Sequence, residues 1–85
     1  MRTETSSLFE RQFGRLPAHI REAAEKKLAL LMMNPRHPSL HLKRKKGRED
    51  IWMLRVTQDY RIVPKLVEGD AYLLAIGPHD VIERF

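Results

Sequence analysis

The sequence predicts an α+β fold, two N-terminal helices packed on a small antiparallel sheet, and three observations carry that prediction. Apolar residues recur at three- and four-residue spacing as far as Asn34-Pro35, then at alternating positions from Ile51 to Ile76. Two turn signals, Thr57-Gln58-Asp59 and Glu68-Gly69-Asp70, divide the second region into three strands. Eighty-five residues make one domain spanning 1–85, with a thin core. A chain of that size buries only about 60–65% of the surface that its unfolded form exposes.

Residues 2–6 (RTETS) are poor in helix formers and suit a short edge strand. Ser6 or Ser7 can cap the first helix, with Glu10 three residues after Ser7 in the capping-box arrangement. Leu8, Phe9, Phe13 and Leu16 follow helical spacing, and Gly14 weakens that helix. Pro17 suits the first turn of a second helix, whose apolar face is Ile20, Ala24, Leu28, Leu31 and Met32. Arg21, Glu22, Glu25 and Lys26 fall opposite. Asn34-Pro35 ends the helix, because the residue before proline avoids the helical region.

Beyond Pro38 the period changes to two. Trp52, Leu54 and Val56 share one strand face, and Ile51, Met53 and Arg55 share the other. In the next strand Tyr60, Ile62, Pro64 and Leu66 oppose Arg61, Val63 and Lys65. Pro64 lacks a ladder donor, which calls for a bulge or an edge position. In the last strand Tyr72, Leu74 and Ile76 oppose Ala71, Leu73 and Ala75, and Gly77-Pro78 ends it. The core face is thus expected to be Trp52, Leu54, Ile62, Leu66, Leu74 and Ile76. The other face carries Arg55, Arg61 and Lys65.

Charge narrows the function. Sixteen Lys and Arg against eleven Asp and Glu leave a net charge of +5, which favours a polyanionic partner. The excess is local: Arg36, Lys43, Arg44, Lys45, Lys46 and Arg48 fall in a stretch without an acid. With no cysteine there is no disulfide and no thiolate nucleophile or metal ligand, consistent with a cytoplasmic protein. No apolar run is long enough for a membrane span, and the N-terminus lacks the apolar segment of a signal peptide.

Arg55 and Arg61 have matching outward parity on strands joined by one turn, which brings two guanidinium groups together. An anion that accepts bidentate hydrogen bonds, such as a phosphodiester, relieves their repulsion. The competing reading is a solvated strand face with ion pairs to Asp59 or Glu49. Lys43 to Lys46 reads either as a solvated loop or as a contact to a nucleic-acid backbone without base specificity. Trp52, by parity with Leu54, is expected in the core. His37 and His41 are four apart, but Pro38 lies between them and no third ligand is evident, so no metal site or cofactor is expected.

The order and spacing of FERQFGRLPAHI, a Leu-rich second helix ending in NP, the KRKKG linker, WMLRVTQDYRIV and the closing IGPHD resemble the RelE/ParE superfamily of toxins from type II toxin-antitoxin systems. The resemblance runs over almost the whole chain. It implies two helices on one face of a small antiparallel sheet, with a cognate antitoxin as partner. RelE-like members are messenger RNA endonucleases that act on the ribosome, whereas ParE-like members inhibit DNA gyrase without cleaving anything.

Position by position, the resemblance makes Arg61 the arginine of the family's YR motif, and Arg55 the basic residue before the turn. His79 occupies the region after the last strand, where a residue assists proton transfer or stacking. The family has lysines on the strand where this chain has Trp52 and Leu54, so a lysine role falls to Lys43, Lys45 or Lys46. Phe85 falls where many RelE-like enzymes keep a tyrosine; it can stack on a base but has no hydroxyl.

Metal-free RNA cleavage needs a base for the 2'-hydroxyl, cations for the pentacoordinate phosphorane and an acid for the leaving 5'-oxygen. Arg55 and Arg61 are the candidate stabilisers. His79 is the candidate base or acid, because an imidazole titrates near neutrality. Arg44, Arg48 and Lys65 complete the expected RNA-binding surface with Lys43, Lys45, Lys46 and Phe85. The alternatives are a ParE-like gyrase inhibitor, or a family member that binds only nucleic acid or antitoxin.

Overall fold

A computed structural model describes residues 2–82. Its elements run β1 (Thr3–Thr5), α1 (Ser7–Gly14), α2 (Ala18–Met33), a 3-10 turn (Pro38–Leu40), β2 (Lys43–Arg44), β3 (Trp52–Arg55), β4 (Tyr60–Val67), β5 (Asp70–Pro78) and α3 (His79–Ile82). The strands form one sheet in the order β1-β5-β4-β3-β2. The expected β3-β4-β5 meander is at its centre. β1 joins β5 in parallel, with Thr3 opposite Ala71, so the sheet is mixed. The segment expected as a linker contributes β2, antiparallel to β3 with Lys43 opposite Met53 and Arg44 opposite Trp52.

α1 begins where Ser6, not Ser7, supplies the cap: its hydroxyl accepts from the Phe9 N–H at 2.9 Å. The same hydroxyl donates to the Leu74 carbonyl at 2.8 Å, and the Gln12 side-chain oxygen accepts from the Ile76 N–H at 3.0 Å. The helix is thereby pinned to β5. α2 buries Ile20, Ala24 and Leu31, but Met32, expected on that face, is exposed. Met32 is two residues before the Asn34 cap, and its sulfur accepts from the hydroxyl of Thr3 on edge strand β1.

Pro64 sits at a bulge. Val63 pairs with Ala75 and Pro64 with Leu73, so Leu74 is an extra residue on β5. A proline cannot donate to the ladder, and the bulge falls where that donor is missing. One inserted residue reverses the faces of everything before it. Ile76 packs with Leu54, Val56 and Ile62 in the main core, as expected, but Leu73 and Ala71 join it in place of Leu74. Leu74 instead packs with Ile51, Val63, Ala75 and Ile82 in a second, smaller core on the opposite face. α3 covers that core through Ile82, so the face expected to be cationic is apolar at its centre and cationic at one end.

Trp52 also departs from expectation. It is half-buried and belongs to neither core cluster among the described residues. Edge strand β2 crosses beside it, and the Arg44 guanidinium carbon lies 5.0 Å from its ring centroid. Among the described residues, no helix is long and apolar enough to cross a membrane.

Candidate functional site

Arg55 ends β3 and Arg61 is the second residue of β4; the register sets them directly opposite each other. Side chains in such a pair have Cβ atoms about 4.5–5.5 Å apart, and like charges there are destabilising. The connection from Val56 to Asp59 is closed by Val56 N–H donating to the Tyr60 carbonyl at 3.0 Å. Thr57 Oγ1 accepts from the N–H groups of Asp59 and Tyr60, both at 3.3 Å.

The turn presents a set of carbonyl oxygens, and Arg61 uses them. Its Nη1 donates to the carbonyls of Thr57 at 2.6 Å and of Gln58 and Tyr60 at 3.0 Å each. Those dipoles hold the guanidinium in one orientation and offset part of its charge. The remaining carbonyl of the turn, that of Asp59, accepts the His79 N–H at 2.7 Å and fixes the start of α3. A single tight turn therefore orients both Arg61 and the backbone that carries His79.

These residues line one cleft of about 460 Å³, formed by His41, Leu42, Lys43, Met53, Arg55, Arg61 and His79. No lining residue is acidic. Arg55 is half-buried, and its Nε is buried with no hydrogen-bond partner among the described residues. A buried donor without an acceptor, beside a second guanidinium and a lysine, suits an oxyanion with several acceptor lone pairs. The imidazoles of His41 and His79 add two groups able to donate or accept a proton.

Of the residues singled out from sequence, the cleft brings together Arg55, Arg61, His79 and Lys43. Arg44 alternates to the other side of β2 and lies over Trp52. Lys45, Lys46 and Arg48 are in the β2-β3 hairpin, where Arg48 N–H donates to the Lys45 carbonyl at 3.0 Å and Gly47 takes a left-handed φ of 82°. Lys65 is farther along β4, 3.7 Å from Asp50, and does not line the cleft. Phe85 lies outside the described residues.

His41 was missed as a cleft residue. Weighed only as a metal ligand with His37, it is separated from it by the 3-10 turn: His37 Nδ1 accepts from the Ser39 N–H at 3.1 Å, while His41 ends the turn with φ 45°. Its position two residues before the basic run was the available signal.

No protein-family model matches the chain, and no curated protein matches it. Solved structures do. The RelB-RelE antitoxin-toxin complex from Methanococcus jannaschii contains a chain that superposes with a TM-score of 0.80 at 15% identity, over 96% of both chains. A chain of the intact E. coli RelBE toxin-antitoxin complex gives 0.74 at 18% identity, covering 91% of this chain and 94% of that one. YafQ from E. coli gives 0.76 at 17% identity, covering 96% and 98%. Two helices packed on one face of a mixed five-stranded sheet give this chain the fold of these RelE-like structures.

Proposed function

We propose that this chain, one domain over residues 1–85, is the toxin of a type II toxin-antitoxin pair. In this reading it is a metal-independent endoribonuclease that cleaves messenger RNA on the ribosome in the cytoplasm, and a cognate antitoxin holds it inactive. The observation that carries the reading is the acid-free cleft in which Arg55 faces Arg61 across one turn beside His79. Supporting it are the RelE-like fold and the toxin-antitoxin complexes among the structural neighbours.

The chemistry is an in-line attack of the 2'-oxygen on the adjacent phosphorus. It forms a 2',3'-cyclic phosphate and breaks the bond to the 5'-oxygen of the next nucleotide. Arg55 and Arg61 bind the non-bridging oxygens and stabilise the extra negative charge of the phosphorane, a role best filled by donors already oriented before reaction. Arg61 meets that condition through its three backbone carbonyls. His79 takes the 2'-hydroxyl proton as general base. His41, the other imidazole lining the cleft, returns a proton to the leaving 5'-oxygen. Lys43 neutralises a neighbouring phosphate.

Purified protein added to a translation extract is expected to truncate messenger RNA, leaving 2',3'-cyclic phosphate ends. Arg61→Ala should abolish the cleavage while keeping the folded spectrum. Intact RNA together with loss of gyrase supercoiling would overturn this reading in favour of a gyrase inhibitor.

A further inference from the structure

We propose that the groove beside Trp52 is a nucleobase-stacking subsite for single-stranded RNA, continuous with the phosphate-binding cleft; the proposal rests on the RNA-cleaving reading above. Trp52 is the chain's only tryptophan. Its indole is half-buried and lies outside both cores among the described residues, with part of the ring lining a groove. It forms part of a largely apolar groove of about 460 Å³ together with Arg36, Pro38, His41, Leu42 and Leu66.

Two features identify the occupant. First, none of the groove's lining residues is acidic, and Arg36, His37 and His41 border it. Arg44, outside the lining, lies over the indole with its guanidinium carbon 5.0 Å from the ring centroid. An apolar floor within a cationic rim complements a flat base carried on a phosphate chain better than it does an apolar peptide. Aromatic platforms combined with basic tracks are how single strands are held without strict sequence readout. Second, His41 and Leu42 line both this groove and the cleft of Arg55 and Arg61. A single strand crossing that shared wall sets a phosphate on the arginine pair and a neighbouring base against Trp52.

The alternation of β2 divides the work: Lys43 faces the cleft and Arg44 faces the indole. The subsite adds affinity through stacking and fixes the register of the strand relative to the scissile bond. It reads the presence of a base more than its identity.

The test uses two uncleavable six-nucleotide probes, a 2'-O-methyl oligoribonucleotide and an abasic sugar-phosphate oligomer of equal length. The intact protein should bind the base-bearing probe roughly 5- to 150-fold more tightly, the range expected for one stacked base. That binding should quench the single-tryptophan emission. Trp52→Ala should erase the preference without changing affinity for the abasic probe, and Trp52→Phe, which keeps a ring and the local packing, should retain most of it.

Equal affinity of the native protein for both probes, or unchanged emission at saturation, would overturn the subsite. Unchanged emission is also the outcome expected if the groove receives a protein segment instead. Arg61→Ala separates the subsite from the reading on which it rests. Should that variant bind both probes as the native protein does while the Trp52-dependent preference persists, the phosphate grip is wrong and the stacking subsite stands.

Discussion

Replacing Arg55 by methionine should make the protein more stable and less active at once. Arg55 carries two unfavourable terms in the unliganded fold: it faces Arg61 directly across the strand pair, and its Nε is buried without an acceptor among the described residues. A like-charge cross-strand pair is unfavourable by about 0.2–1 kcal/mol, and an unsatisfied buried donor by about 1–3 kcal/mol. Methionine keeps most of the aliphatic stem, so little packing is lost. The net expectation is a gain of about 1–2 kcal/mol, or roughly 5–15 °C in the midpoint of a domain this small.

The assay is thermal unfolding of both proteins with and without inorganic phosphate. A ligand that binds only the folded state stabilises it by RT ln(1 + [L]/Kd). Phosphate should therefore raise the native midpoint and leave that of Arg55→Met almost unmoved. RNA cleavage should fall by roughly 10²–10³, as for loss of one oriented oxyanion donor. If Arg55→Met is destabilised, or if phosphate stabilises both proteins equally, then Arg55 is a structural residue whose guanidinium is satisfied in solution, and the cleft is not an anion site.

Three further outcomes follow from the geometry. His79→Gln should stay folded and bind an uncleavable oligonucleotide normally, while single-turnover cleavage drops by roughly 10²–10⁴, the usual contribution of one general acid or base. Ser6→Ala removes both a helix cap and the bond to Leu74, and should lower stability in urea by about 1–2 kcal/mol without affecting cleavage chemistry. Gly47→Ala should be destabilising by about 1–2 kcal/mol from backbone strain alone, since φ is 82° and a Cβ would meet nothing within 4 Å. Gly47→Asn, better suited to that conformation, should cost less in the same urea titration.

The parts of the fold that were legible in the sequence are those where a single pattern had no competitor. α2 reads clearly because apolar residues recur at helical spacing from Ile20 to Leu31, and its end is marked by Asn34-Pro35. The Arg55–Arg61 pairing reads clearly because parity and a three-residue turn signal leave one register. The faces of β5 were not legible. Leu73 and Leu74 are equally apolar, so composition cannot say which of them the bulge turns toward the helices; that depends on Pro64 on the neighbouring strand. α3 was missed because it is only four residues long. It forms by burying Ile82 against Val63 and Ala75, not by local propensity.

The basic run shows most directly why strand pairing decides function here. In KRKKG, five consecutive positions contain four cations and no apolar residue, a composition that reads as solvated loop. Pairing with β3 imposes a period of two on it, and neighbouring cations then point to opposite sides. Lys43 reaches the cleft with Arg55 and Arg61, Arg44 reaches the indole of Trp52, and the rest of the run stays in the hairpin. The same constraint accounts for Trp52: once an edge strand passes beside it, it is a wall of a groove instead of core. Charge number in this segment therefore matters less than parity. Exchanging the residues at positions 43 and 44, which preserves every charge, should disturb the cleft and the groove together, whereas Lys46→Ala, which removes one, should weaken RNA binding only through its salt dependence.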